Sequence, residues 1–127
     1  LAALAGLRFS VVTTLGVSIP ILEANIRAEG LWSICGKVRA SEVPVLALES
    51  GSDAVTRPVL AETRAALRHD NIDCVILGCA GMSTLIEAVR HAIDAPIIDP
   101  VAAAAQVVTA TLQTTTRKAP ASGWIAI

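Results

Sequence analysis

Short apolar runs alternate along this chain with longer stretches of helical periodicity, and that alternation sets the expected architecture. Residues 9–14, F-S-V-V-T-T, are rich in β-branched side chains and predict a strand. Leu15, Gly16, Val17 and Ser18 read as a turn, with Ser18 placed to N-cap a helix that carries Pro20 in its first turn. That helix spans 19–28, lines Ile19, Leu22 and Ile26 along one stripe, and stops at Gly30. Residues 31–38 read as a second strand, and 39–51 as irregular chain whose apolar stretch 45–48 packs down. The next helix runs to about Asp70 with Val55, Val59, Leu60, Thr63 and Leu67 inward, and Pro58 is expected in or before its first turn. Residues 74–77, C-V-I-L, bounded by polar residues before and glycine after, have the pattern of a strand buried on both faces of a parallel sheet. An amphipathic helix opens at Ser83 and reaches about residue 93, with Thr84 and Glu87 at capping-box spacing. Residues 95–98 form a short fourth strand; Asp99 is placed as N-cap and Pro100 as first residue of a last helix, 101 to about 115. A loop over 117–123 and a final strand or tail over 124–127 close the chain.

Strands alternating with helices predict an α/β fold with right-handed crossovers: a flavodoxin-like parallel four-stranded sheet, order 2-1-3-4, flanked by helices. In such sheets ligands bind beyond the carboxyl ends of the strands, where the winding reverses. For this order the crevice lies between the loop after strand one (13–18) and the loop after strand three (78–82). Thr13, Thr14 and Ser18 are therefore expected to face Cys79 across one mouth, strand-end packing and helix capping being the ordinary alternatives.

Cys79 sits between Gly78 and Gly81, in the turn between a buried strand and a helix start. Backbone N–H groups and the helix dipole there favour negative charge, and hence a thiolate. The plain alternative is a small core cysteine. Cys74 already fills that part within the strand, and Cys35 lies in an edge-strand pattern. Over half the residues are apolar (54%) and the net charge is −1, which argues against disorder and against a nucleic-acid footprint. Aromatics are limited to Phe9, Trp32 and Trp124, so alanine and valine carry the core, and both tryptophans are expected to be packing residues. No apolar run approaches the ~20 residues of a membrane span. Three cysteines without a framework pattern suit a reducing, cytoplasmic setting. His69 and His91 fall on polar helix faces with no third ligand at metal spacing, so no metal is expected. The opening L-A-A-L-A-G-L, without methionine or a basic leader, reads as the last turns of a helix, and the chain as a fragment.

The stretches F-S-V-V-T-T-L (9–15), V-P-V-L-A-L-E (43–49), V-I-L-G-C-A-G-M (75–82) and P-I-I-D-P-V-A-A-A (96–104) together resemble the hydantoin racemase branch of the aspartate/glutamate/hydantoin racemase superfamily. The resemblance covers essentially the whole chain in order. It implies a cofactor-independent isomerase of two similar α/β domains, with one cysteine from each reaching the substrate stereocentre from opposite faces. Cys79 matches the cysteine of the second domain; the first-domain cysteine has no counterpart here. Residues 1–99 then correspond to the second domain, 1–7 to the end of an inter-domain helix, and 100–127 to a helix and tail returning to a missing first domain. The implied chemistry is proton abstraction at the stereocentre of a hydantoin-like or amino-acid-derived substrate by Cys79. Backbone N–H groups of Ala80, Gly81 and Met82 would hold the enolate-like oxygen, with Gly78 and Gly81 allowing close approach. An unpaired domain face predicts self-association. The same superfamily holds amino-acid racemases, maleate isomerase-like enzymes and an arylmalonate decarboxylase-like activity with one cysteine. A non-catalytic flavodoxin-like binding module is the alternative outside enzymes; a phosphoacceptor receiver would want aspartates, not threonines, after strand one.

Overall fold

The computed structural model describes residues 1–114. Four parallel strands, β1 (Phe9–Thr13), β2 (Cys35–Ala40), β3 (Cys74–Leu77) and β4 (Ile97–Ile98), form one sheet in the order β2-β1-β3-β4. The helices are α1 (Ile19–Ala28), α2 (Asp53–His69), α3 (Ile86–Ala92) and α4 (Pro100–Thr114). Both fold class and strand order are those the apolar alternation predicts. All five residues of β1 are buried, as a central strand covered on both faces requires.

Side chains of successive strand residues point to opposite faces, and two apolar clusters follow from that. Val11 joins Phe9, Cys35, Val38 and Cys74 on the side where Leu22 and Ile26 of α1 pack. Val12 joins Val75 and Leu77 on the side covered by Val55, Val59 and Ala66 of α2 and by Ile86 and Val89 of α3. Leu60 and Leu67 lie at the margin of this second cluster, and Thr63 is fully buried with its hydroxyl donating to the Val59 carbonyl at 2.8 Å.

Several local expectations are corrected. The second strand starts later and ends later than the 31–38 stretch, because Trp32–Ile34 winds into a 3-10 turn first. Trp32 is consequently 39% exposed, with the Arg27 guanidinium stacked 3.7 Å from its ring centroid, and is not a core residue. Residues 45–50 form a 3-10 turn whose Leu48 is buried. Helix α2 begins at Asp53, so Pro58 lies beyond the first turn; the burial of Val55, Thr56, Val59, Thr63 and Ala66 outweighs the lost hydrogen bond. Ser18 makes no side-chain cap on α1. Thr84 and Glu87 form no capping box, because Ala80–Leu85 is a 3-10 turn and α3 starts only at Ile86. Asp99 does cap, accepting the Val101 N–H at 2.9 Å. Residues 1–7 hold a single 3-10 turn, Ala3–Ala5, ended by Gly6 at φ 70°, with Ala2 buried in the cluster of Phe9. The expected loop at 117–123 and the strand or tail at 124–127, with Trp124, lie outside the described residues.

The amino edge of the sheet is held by charge. The Asp70 side chain is fully buried and accepts two guanidinium N–H groups of Arg39, at 2.7 and 2.6 Å. It also accepts the Ser10 hydroxyl at 2.8 Å, and Ser10 Oγ in turn accepts the Lys37 N–H at 3.0 Å. Burial works against ionisation of Asp70, but the hydrogen bonds from Arg39 and Ser10 outweigh it and hold the carboxyl below the usual carboxylate range. Gly36 makes room for this cluster: a Cβ there would stand 2.7 Å from Ile72 Cγ2, 2.8 Å from Ser10 Oγ and 3.0 Å from the Asp70 carbonyl oxygen.

Candidate active site

The three thiols sort by position in the sheet. Cys35 and Cys74 begin β2 and β3, are 7% and 0% exposed, and flank Phe9 of β1 on the amino side. Burial pushes both thiols up, reinforced by Glu23 at Cys35 and by Asp73 at Cys74. Such thiols are chemically quiet at neutral pH. Cys79 lies at the opposite, carboxyl edge, and is the partly exposed member of the three.

Two glycines set its backbone. The Gly78 N–H donates to the Val12 carbonyl at 2.8 Å, carrying the β1–β3 ladder one step past Leu77. A Cβ on Gly78 would stand 2.6 Å from Val11 Cγ1, so glycine alone lets the strands stay in register there. Cys79 remains extended (φ −139°, ψ 133°) and leads into the 3-10 turn Ala80–Leu85. A Cβ on Gly81 would lie 3.0 Å from Leu48 Cδ1 and 3.8 Å from Cys79 Sγ, so that glycine keeps space beside the sulfur.

The turn is pinned from several sides. Met82 and Leu85 are buried in the core, and the Met82 N–H donates to the Cys79 carbonyl at 3.0 Å. That N–H is thereby spent, and Met82 acts as an anchor instead of presenting a donor at the mouth. The N–H groups of Ala80 and Gly81, at the first two positions of the turn, lie ahead of its first internal bond. The Thr84 hydroxyl donates to the Gly81 carbonyl at 2.9 Å, and the Ser83 hydroxyl to Asp99 Oδ1 at 2.7 Å.

The two threonines of the expected group are both buried at the end of β1. The register pairs Val11 with Ile76 and Val12 with Leu77, and one step further Thr13 lies beside Gly78. A Cβ on Gly78 would be 3.3 Å from Thr13 Cβ, which puts Thr13 on the α1 face together with Val11. Cys79 packs against the cluster of Val12 and Leu48 on the α2/α3 side. Thr13 is thus strand-end packing, 1% exposed, and Thr14, which follows it, is buried too at 3%. Ser18 lies half-buried at the start of α1.

Two residues escaped the sequence reading. Ser41, just past β2, is buried and donates its hydroxyl to the Thr13 carbonyl at 3.1 Å, which places it at the same edge. Glu42 follows at φ 55°, a left-handed backbone uncommon for glutamate, and accepts the Gly16 N–H at 3.1 Å. It joins the loops after β1 and β2. Both depend on β2 ending at Ala40, which the apolar pattern misplaced. Around the mouth Val17, Val45, Leu46 and Val101 are 82%, 47%, 84% and 48% exposed, an apolar rim for a domain this small. An apolar groove of about 610 Å³ lies between α1 and the start of α4; Gly78, Ala80 and Val101 line it, and Cys79 does not.

A parallel α/β domain with one half-exposed thiol at the carboxyl edge, set between glycines, defines a class of site. Residues 1–108 match the Asp/Glu/Hydantoin racemase family, and the chain belongs to it. It is 43% identical over 105 residues to a hydantoin racemase of Rhizobium meliloti, covering 83% of this chain and 44% of that protein. It is 31% identical to a hydantoin racemase of Pseudomonas sp. (strain NS671), covering 81% and 41%. Among solved structures, an allantoin racemase from Klebsiella pneumoniae superposes with a TM-score of 0.78 at 35% identity, covering 84% of this chain and 43% of its own. An allantoin racemase from Pseudomonas fluorescens gives 0.81 at 32%, covering 88% and 48%. The chain therefore spans less than half the length of the relatives it matches. Among the described residues no helix is long and apolar enough to cross a membrane.

Proposed function

We propose that this chain is the cysteine-bearing half of a cofactor-independent racemase acting on a hydantoin-like cyclic ureide. The observation that carries the reading is the position of Cys79: the half-exposed thiol of the three, at the carboxyl edge of β3, in a chain of the racemase family. The Cys79 thiolate takes the proton from the ring carbon that bears the side chain, and the electron pair left behind delocalises into the neighbouring ring carbonyl. The N–H groups of Ala80 and Gly81 are the donors for that developing oxyanion. Thr14, just past the end of β1, is assigned as the hydroxyl for a ring carbonyl or N–H, and Ser18 as a second at the rim. An acid on the opposite face returns a proton to the carbon, inverting it; for the other enantiomer the two groups exchange roles.

The opposite acid is assigned to a first α/β domain that closes over the mouth. The apolar rim and the share of each relative that the chain spans both support a covering partner. Residues 1–99 are accordingly read as the second domain and 100–127 as a segment that returns to the first, and the uncovered domain is expected to be inactive and to self-associate. The test is Cys79→Ser in the complete two-domain enzyme, followed by the decay of optical rotation of an enantiopure 5-substituted hydantoin. Turnover should fall by roughly a thousandfold, within the range that removal of an acid–base group costs. Undiminished turnover in both directions would exclude the role.

A further inference from the structure

The Cys79 turn is a poor helix on its own account. Its residues, A-G-M-S-T-L, include glycine, serine and threonine, and a 3-10 run of six residues exceeds what that geometry usually sustains. Its placement therefore depends on tethers. Two are apolar, the buried side chains of Met82 and Leu85. A third is the Thr84 hydroxyl, donating to Gly81 within the turn and, at 3.4 Å, to the Leu48 carbonyl. The fourth is a hydrogen bond to a carboxylate: the Ser83 hydroxyl donates to Asp99 Oδ1 at 2.7 Å.

Asp99 is itself fixed. Its Oδ1 accepts the Val101 N–H at 2.9 Å, and its carbonyl accepts the Ala103 N–H at 2.9 Å, so the carboxylate is part of the first turn of α4. We infer that Asp99 is a positioning residue of the proposed reaction: through Ser83 it clamps the 3-10 turn that begins after Cys79 to the start of α4, and so fixes where the thiol stands. This rests on the proposed role of Cys79, but the clamp itself is tested without it. Asp99 keeps its charge because the Ser83 hydroxyl and the N–H groups of Val101 and Ala102 outweigh the burial that opposes ionisation. The clamp explains why an aspartate serves here although serine or threonine would cap α4 as well. It also makes the site depend on how α4 sits, since one oxygen is shared between helix and turn.

The chain carries its own folding control, because Cys35 and Cys74 are buried thiols in the sheet. The test measures alkylation of each cysteine by iodoacetamide in the folded chain, resolved by peptide mass. Asp99→Ala and Ser83→Ala should speed modification of Cys79 by about tenfold, the equivalent of one lost charged hydrogen bond. Cys35 and Cys74 should remain at their slow rates. Asp99→Asn, whose amide oxygen still accepts from Ser83 and from the Val101 N–H, should restore most of the protection. In the complete enzyme Ser83→Ala should lower kcat and leave KM nearly unchanged. An unchanged Cys79 rate overturns the clamp, and so does a parallel rise at all three cysteines, which reports general loosening. If Cys79→Ser leaves racemisation intact while Asp99→Ala still exposes Cys79, the clamp survives and the catalytic reading fails.

Discussion

At the amino edge of the sheet a buried carboxylate gathers a bidentate guanidinium, a serine hydroxyl and two strands; at the carboxyl edge a thiol stands among short hydrogen bonds and an exposed apolar rim. The amino edge holds Arg39 against Asp70, with Arg8 donating its N–H to Asp73 at 2.8 Å and its guanidinium to the carbonyls of Asn71 and Ser33. The buried carboxylate there is fully partnered inside this domain. At the carboxyl edge Val17 and Leu46 are more than four-fifths exposed, and the thiol is covered only in part. The difference teaches where the domain is tied together: stability is lodged at the base, while the mouth carries the partly exposed thiol and exposed apolar side chains.

That contrast breaks most sharply at Arg39. Arg39→Ala leaves the Asp70 carboxylate buried without its cation and should cost about 3–5 kcal/mol in urea unfolding, while the Cys79 turn stays as it is in the native state. Gly78→Ala acts at the other edge: the added methyl meets Val11 at 2.6 Å, and overpacking should cost about 1–3 kcal/mol by the same measurement. A loss under about 0.5 kcal/mol would mean that β1 and β3 separate easily at the mouth.

Acid sharpens the comparison. Asp70 titrates lower folded than unfolded, so its contribution is present above the unfolded value of about 3.9 and is lost as pH falls through the folded one. Stability below about pH 4 should therefore fall more steeply in the wild type than in Asp70→Asn, as read from urea midpoints across pH. The smallest effect is expected at the rim. Leu46→Lys, at a side chain 84% exposed, should change unfolding free energy by less than about 0.5 kcal/mol. It should nevertheless reduce self-association in light scattering, separating the rim's role from the fold.

How much was legible follows the same division. Runs of β-branched residues at 9–14 and 74–77 gave the two central strands to within a residue, because a strand covered on both faces has no polar face to confuse the pattern. The edge strand β2, C-G-K-V-R-A, mixes burial with exposure, and its boundaries were misjudged by several residues. With it went Ser41 and Glu42, the two mouth residues that a strand ending at Ala40 puts in place. Capping was legible at Asp99, where aspartate precedes proline, but not at Ser18 or at Thr84–Glu87, where a 3-10 turn displaces the helix start.

The amino-acid order by itself determined that strands alternate with helices in a parallel α/β domain and that Cys79 follows a buried strand, because apolar periodicity and the glycines around that residue act locally. Only the folded chain decided that Ser41 reaches the Thr13 carbonyl, that the Arg39 guanidinium meets Asp70, and that Ser83 reaches Asp99. Those relations join residues brought together by strand pairing and helix packing, and spacing along a chain carries no measure of such distances.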